Sequence, residues 1–187
     1  MPGFRIRELG KATWPDFVRV MEKHNGVWNG CWCVAFHVGR GQKLETSEER
    51  RALKERMVRE GRSHAALVYD GGDIAGWCQF GPPAELPARM GGLTRIGAEP
   101  PDWRITCFFV DRDHRRQGVA TAGLAGALEL IAAAGGGTVD GYPIATRGKP
   151  YSSSFLWSGT EPMFKDAGFR RLGALGSSKV VMRKVVK

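Results

Sequence analysis

Apolar residues recur along the chain at two periods, and the places where the period changes mark out the elements. Phe17, Val20 and Met21 share one face of a helix expected over residues 11–24. Thr13 is its expected cap, Pro15 sits in its first turn, Asp16 completes a capping-box-like pair, and Asn25-Gly26 stops it. An aromatic loop follows, Trp28-Asn29-Gly30-Cys31-Trp32, and is expected to run into a short strand through Val34 and Phe36. Thr46-Ser47-Glu48-Glu49 has the form of a capping box and opens a second helix that ends near Gly61. Its apolar content is thin (Leu53, Met57, Val58), and Arg50, Arg51, Lys54, Arg56 and Arg59 read as a solvated basic face.

The pattern then turns to strands. Two β-rich runs, 64–69 and 74–80, flank Asp70-Gly71-Gly72-Asp73 and predict a hairpin, which Pro82, Pro83 and Pro87 terminate. Residues 84–102 are rich in Gly and Pro and read as an exposed loop. The most strand-like run in the chain is 103–110. Beyond the polar turn 111–116, Ala120, Leu124, Ala127, Leu128 and Ile131 recur at helical spacing within 117–134, and Gly135-Gly136-Gly137 closes that helix. A strand over 138–144, a short helix over 160–167 stopped by Gly168, and strands over 169–172 and 179–186 complete the chain. This order predicts one mixed α/β (α+β) domain over 1–187, with antiparallel hairpins on both sides of a single strand–helix–strand unit.

Composition narrows the function only slightly. The chain has 187 residues, is 42% hydrophobic and carries a formal charge of +9, which suits an ordinary globular domain and not a disordered, collagenous or coiled-coil chain. The charge is compatible with nucleic acid, an acidic membrane surface, an acidic partner or a phosphate-rich small molecule. The first ten residues hold Arg5 and Arg7 but no apolar segment of the secretory kind, and 119–138, rich in Ala and Gly, is far from a membrane span. Cys31, Cys33, Cys78 and Cys107 lie among hydrophobic residues, so reduced thiols in a cytoplasmic protein are expected. Cys31, Cys33 and His37 would share one strand face, yet no fourth ligand stands at a useful spacing; buried thiols are the preferred reading, and no metal is expected.

The informative segment is Cys107-Phe108-Phe109-Val110-Asp111-Arg112-Asp113-His114-Arg115-Arg116-Gln117-Gly118-Val119-Ala120. A buried strand runs through a basic turn into a helix whose mouth is Gly118. The first N–H groups of a helix lack internal partners and its dipole concentrates positive charge there, so a helix entered through small residues is suited to phosphate. Neither the glycines of a Rossmann turn nor the Gly-Lys-Ser/Thr of a Walker loop is present. Arg115-Arg116-Gln117-Gly118-Val119-Ala120 resembles the acyl-CoA-binding motif of the GNAT superfamily of N-acyltransferases, Arg/Gln-x-x-Gly-x-Gly/Ala, at every fixed position. The strand ending in Val110-Asp111, the upstream Gly71–Asp73 hairpin and Met163-Phe164-Lys165-Asp166-Ala167-Gly168-Phe169, which looks like the family's last short helix, extend the likeness over about residues 4–186.

The resemblance implies a central, mostly antiparallel mixed sheet flanked by helices, with a splayed parallel strand pair at the CoA site. It implies acetyl-CoA or another acyl-CoA as co-substrate, and direct attack of a small-molecule or protein amine on the thioester. Backbone groups of Phe108 and Val110 would hold the pantetheine and polarise the thioester carbonyl, and Arg115, Arg116, Gln117, Gly118, Val119 and Ala120 the pyrophosphate. Family members often carry a tyrosine acid where this chain has Phe164. Phe164 is therefore expected only to pack against pantetheine, and Tyr151 and Ser154 lead the candidate hydroxyls, ahead of Ser152, Ser153, Ser158 and Thr160. No glutamate lies on the 103–110 strand to serve as base; His37, Asp140, Tyr142 and a water chain are the options. Trp28, Trp32 and Phe36 stand where the superfamily often builds its acceptor wall, with core packing the alternative for Trp28 and Trp32 and Tyr142 a further substrate candidate.

Two rivals to the enzyme remain at this level. One is a CoA-binding regulator without catalysis, motivated by Phe164. The other is a nucleic-acid module using the basic second helix, which no recognised signature supports. Neither nucleic acid nor membrane is the expected partner, and a homodimer stands as an option. From Asp111 onward there are 12 Lys+Arg against 6 Asp+Glu, compared with 16 against 13 before it, so most of the excess charge lies in the half that would hold a phosphate-bearing co-substrate.

Overall fold

The computed structural model describes residues 3–39, 41, 43–88, 96–146, 148 and 151–187. Its strands are β1 (Arg5–Glu8), β2 (His64–Asp70), β3 (Asp73–Gly81), β4 (Trp103–Val110), β5 (Gly137–Gly141), β6 (Arg170–Leu175) and β7 (Lys179–Val186). Its helices are α1 (Trp14–Lys23), α2 (Ser47–Arg59), α3 (Val119–Ala133) and α4 (Glu161–Asp166), with 3₁₀ turns at Arg112–His114 and Ser153–Ser158. The strands form one sheet in the order β1-β2-β3-β4-β5-β7-β6, antiparallel except for the pair β4–β5. The predicted strand–helix–strand unit is β4–α3–β5, and the hairpins β2–β3 and β6–β7 lie on either side of it. β1, too short and polar to register in the hydrophobic pattern, pairs with β2 at one edge.

Two apolar layers cover the sheet. On one face α1 and the loop after it pack Phe17, Met21 and Trp32 against Leu67 and Trp77; on the other, α3 and α4 pack Leu124, Ile131 and Phe164 against Phe80, Ile105 and Phe108. Alternation along β4 sends Phe108 to the second layer and Cys107 and Phe109 to the first.

One irregularity shapes the site. The β3–β4 register slips between Gln79 and Phe80, which leaves Thr106 with no opposite residue. A bulge bends its strand, and β4 parts from β5 just there: the parallel pairing covers only Trp103↔Val139, Arg104↔Asp140 and Ile105↔Gly141. Among the described residues, no strand lies beside the β5-side edge of β4 from Thr106 to Val110.

Several expectations need correction. Residues 24–37 form successive turns, with no strand at Val34 and Phe36. Asn25, Gly26, Val27, Trp28, Asn29 and Gly30 all have positive φ, a left-handed turn closed by Cys31 N–H donating to Val27 O at 2.8 Å. Thr13 does not cap α1 with its side chain; its hydroxyl donates to Glu8 O at 2.9 Å, and Asp16 accepts instead from the Tyr69 hydroxyl at 2.9 Å. The 84–102 segment is irregular but tethered among its described residues, with Leu86 fully buried and Glu99 O accepting from Arg183 at 2.6 Å. The capping box of α2 is present as expected, Thr46 Oγ1 accepting from Glu49 N at 3.1 Å.

The basic face of α2 is largely engaged with the protein. Arg50 donates to the carbonyls of Asn29, Gly30, Leu44 and Glu45 and so fastens the left-handed turn. Arg51 lies over the Trp32 ring and pairs with Glu22, and Arg59 pairs with Glu55. Lys54 is 1% exposed, with its ammonium over the Phe17 ring at 5.8 Å. A phosphate-tracking stripe would need these side chains free.

Burial lowers the Lys54 pKa from 10.5, and the charges of nearby Cys33, Cys107 and Cys31 only partly restore it. The unfolded chain therefore binds the extra proton in the window between the lowered value and 10.5, and Lys54 costs stability increasingly as pH falls through that window. Lys54→Met should raise stability at pH 7 by about 1–3 kcal/mol, and the gain should shrink toward pH 10.5. Urea unfolding of both proteins at several pH values measures it; a destabilised variant at pH 7 would contradict the account.

Candidate functional site

The splay of β4 from β5 opens onto a groove of about 790 Å³. Phe108, Phe109 and Val110 form its floor, and Tyr151, Ser152, Leu156 and Trp157 its β5-side wall. One end is closed by Arg115, Arg116 and the start of α3, and His24, Val27 and Trp28 complete the lining. The volume lies in the usual range for small-molecule sites.

The α3 end is built for an anion. Gly118 is the N-cap with φ 86°, a left-handed conformation that L side chains enter at a cost, and Arg116 shares it at φ 62°. Among the described residues no side chain caps the helix, and its first turn holds no acidic residue. The N–H groups of Val119, Ala120 and Thr121 thus lack helical partners, and all three residues line the groove. The exposed Arg115 and Arg116 add full charges to the helix dipole. Upstream, Asp111 N–H donates to Ala75 O at 2.8 Å and Asp111 Oδ1 accepts from Asp113 N–H at 3.0 Å, which sets the path of the turn.

Asp111 also gathers a polar cluster. Its Oδ2 accepts from Lys23 Nζ at 2.6 Å and lies 3.2 Å from His24 Nε2. Burial works against the Asp111 charge, but the hydrogen bonds from Lys23, the Asp113 backbone and His24 outweigh it and hold the carboxyl well below the usual range. The His24 ring stands edge-on to Phe109 at 5.0 Å, and Phe109 stacks on Trp77 at 4.4 Å.

Of the residues singled out from sequence, Phe108, Val110, Arg115, Arg116, Gly118, Val119, Ala120, Trp28 and Tyr151 line this groove. The others do not. Gln117 turns away, its amide donating to Asp113 O at 3.1 Å. Phe164 is fully buried between Phe108 and Phe169, at ring distances of 6.0 and 4.9 Å, so it wedges the splay from behind. Trp32 is a core residue whose indole N–H donates to Ser47 Oγ at 3.0 Å. The Tyr142 hydroxyl accepts from the buried Arg104 at 3.2 Å in the interior. The Ser154 side chain lies outside the described residues.

The base options also fall within structural networks. Asp140 is fully buried and clamped by Arg183 at 2.6 and 2.9 Å. His37 is buried with Nδ1 2.8 Å from Glu85 O; burial and then the Lys54 charge lower its pKa to about 3, so it is neutral. The sequence reading missed Lys23 and His24. They sit at the end of α1, 88 and 87 residues from the carboxylate they meet, and no local spacing joins them. Among the described residues no cluster of His, Cys, Asp and Glu is suited to hold a metal ion, and no helix is long and apolar enough to cross a membrane.

Solved structures resemble the fold over nearly its whole length. A histone acetyltransferase HPA2 and related acetyltransferase from Corynebacterium glutamicum superposes with a TM-score of 0.59 at 18% identity, covering 98% of this chain and 97% of its own. An N-acetyltransferase from Staphylococcus aureus gives 0.55 at 15% identity and 99% of each chain. A CoA-dependent acyl-homoserine lactone synthase, BjaI, solved with SAM and isopentyl-CoA, gives 0.58 at 15%, covering 99% and 84%. At such identities the likeness is one of fold. No curated protein matches the sequence. The profile of the acetyltransferase (GNAT) family matches residues 21–139, from the end of α1 through the β4–α3 turn to β5. That match spans well over half of the chain and contains the strand, turn and helix that build the groove, so the chain belongs to the acetyltransferase (GNAT) family.

Proposed function

We propose that the protein transfers an acetyl or other short acyl group from acyl-CoA to a primary amine by direct attack through a tetrahedral intermediate. The observation that carries this reading is the continuity of two open backbone surfaces along one groove. The uncapped start of α3 with Arg115 and Arg116 leads directly into the unpaired edge of β4 from Thr106 to Val110. The first suits a pyrophosphate and the second an extended amide-bearing arm that adds to the sheet edge. Residues 108–110 then lie where a backbone N–H polarises the thioester carbonyl and stabilises the oxyanion.

Trp28, 42% exposed within the left-handed turn, forms the acceptor wall, where its ring face suits an ammonium or a planar group. Tyr151 is the hydroxyl we assign to protonate the leaving thiolate, with Ser154 as second candidate. The net charge of the phosphate half agrees with this use, and the engaged basic side chains of α2 speak against nucleic acid.

Thermal-shift titration with acetyl-CoA tests the first half of the proposal. Saturating ligand at about 100 times Kd should add about 2.7 kcal/mol of stability, and no shift at millimolar acetyl-CoA would overturn it. Release of free thiol is then followed with tyramine, 1,4-diaminobutane, hydroxylamine and a short peptide bearing a free N-terminus. Stabilisation without thiol release from any of them would favour the CoA-binding regulator. In the same assay Tyr151→Phe should slow turnover at saturating acetyl-CoA, and an unchanged rate would move the acid role elsewhere.

A further inference from the structure

The groove contains one imidazole, and its surroundings assign it a task that neither the family nor the sequence motif specifies. His24 follows α1 and lines the acceptor side of the groove beside Phe109 and Val27. Its Nε2 lies 3.2 Å from Oδ2 of Asp111, a carboxylate with a side chain only 3% exposed and held ionised by Lys23. A carboxylate accepts and does not donate, so Nε2 carries the proton in the neutral ring, and Nδ1 has the free lone pair. Among the described residues nothing hydrogen-bonds Nδ1. The side chain is 17% exposed, so it is neither sealed in the core nor free to rotate in solvent.

We infer that His24 is the proton acceptor for the attacking amine, with Asp111 and Lys23 as its positioning residues. The inference rests on the acyl-transfer reading above. An alkyl ammonium delivers one proton to Nδ1, giving imidazolium and a free amine. The amine lone pair forms the C–N bond at the thioester carbon, and the carbonyl pair moves to oxygen. On collapse the C–S pair leaves with sulfur, Tyr151 gives its hydroxyl proton to the thiolate and regains one from the nitrogen of the intermediate, and the imidazolium returns its proton to solvent. The charged and titratable groups around His24 are Asp111, Lys23, Asp113 beyond Lys23, and Arg115, Arg116 and Tyr151 across the groove. Lys23 at 2.6 Å compensates the Asp111 charge, so the carboxylate orients the ring without making the site acidic overall.

Acceptor basicity separates this role from a structural one. In His24→Gln, transfer to tyramine, an alkylammonium at neutral pH, should fall about 100-fold in kcat/KM. Transfer to hydroxylamine, largely unprotonated at that pH, should change by less than about 5-fold, because no base is needed. Acetyl-CoA affinity and Tm should match those of the wild type. Equal losses with both acceptors, or an undiminished rate with tyramine, would overturn the proposal. Nitrogen-15 correlation spectra of the full chain supply a test independent of turnover: the neutral ring should be the Nε2–H tautomer, and an Nδ1–H tautomer would overturn the assignment. If the wild-type chain acetylates none of the probe amines, the acyl-transfer reading fails, and the tautomer still decides whether Asp111 poises His24 as described.

Discussion

Gly118→Glu should abolish acetyl-CoA binding in a chain that still folds. A Cβ added at Gly118 meets nothing within 4 Å, so there is physical room for a side chain. The cost to folding comes from the backbone, because φ is 86° and an L residue in that region pays about 1–2 kcal/mol. The cost to binding is larger. A carboxylate at the N-cap would sit beside the orphan N–H groups of Val119 and Ala120 and compete for them and for Arg115 and Arg116 with the pyrophosphate. A loss of affinity of at least about 100-fold, or about 2.7 kcal/mol, is expected from like-charge repulsion together with occupation of the donors. Gly118→Ala separates the contributions: it should carry the same backbone cost but retain most of the affinity. Calorimetric titration with acetyl-CoA, with circular dichroism to confirm folding, measures both. A folded Glu variant that binds normally would remove the pyrophosphate from this end of the groove.

Phe164→Ala should be among the most destabilising single substitutions in the protein. The ring is fully buried, edge-on to Phe108 and to Phe169, and it occupies the wedge behind the parting of β4 from β5. Gly141, the last residue of β5, is the reason it fits: a Cβ there would lie 2.0 Å from Phe164 Cε1. Truncation removes the packing of all three surfaces and leaves a cavity under the groove floor. The expected loss is roughly 3–5 kcal/mol, or on the order of 10 °C in Tm for a domain of this length. Chemical denaturation gives the value. A loss below about 1 kcal/mol with a large change in acetyl-CoA affinity would mean that the ring faces the co-substrate, contrary to its burial.

These two positions differ in how far they could be read from the chain. Gly118 was legible because every feature that matters is local: a strand, a basic turn, a glycine and a helix follow one another without interruption, and a helix N-terminus has the same electrostatics wherever it occurs. Phe164 was not, because its place depends on which strand stands in front of it. The motif located it in the last helix correctly, but the helix period that turns Phe164 inward does not say whether a co-substrate or a strand meets the ring. Trp32 and Tyr142 failed for the same reason, being amphipathic side chains whose polar atoms found partners inside, at Ser47 and Arg104. The expected strand at Val34 and Phe36 failed for another: the alternation was present, but the backbone closes on itself there in turns, with Val34 N–H donating to Cys31 O and the N–H groups of His37 and Val38 to Val34 O.

Lys54 and His24 show the converse case. Lys54 lay in a run of basic residues and read as solvated, yet the helix phase that buries Met57 and Val58 carries it inward as well. His24 gave no signal at all, since its meaning comes from a carboxylate 87 residues away in the chain. By itself, the sequence determined the order of elements from α2 onward, the strand–helix–strand unit with its flanking hairpins, the family and the glycine-entered start of α3 beside Arg115 and Arg116, because these follow from period, capping and a contiguous motif. Only the tertiary structure decided where β4 leaves β5, which aromatics face the groove and which imidazole meets Asp111. Those depend on a bulge at Thr106 and on contacts between residues far apart in the chain, where hydrophobic pattern carries no phase information.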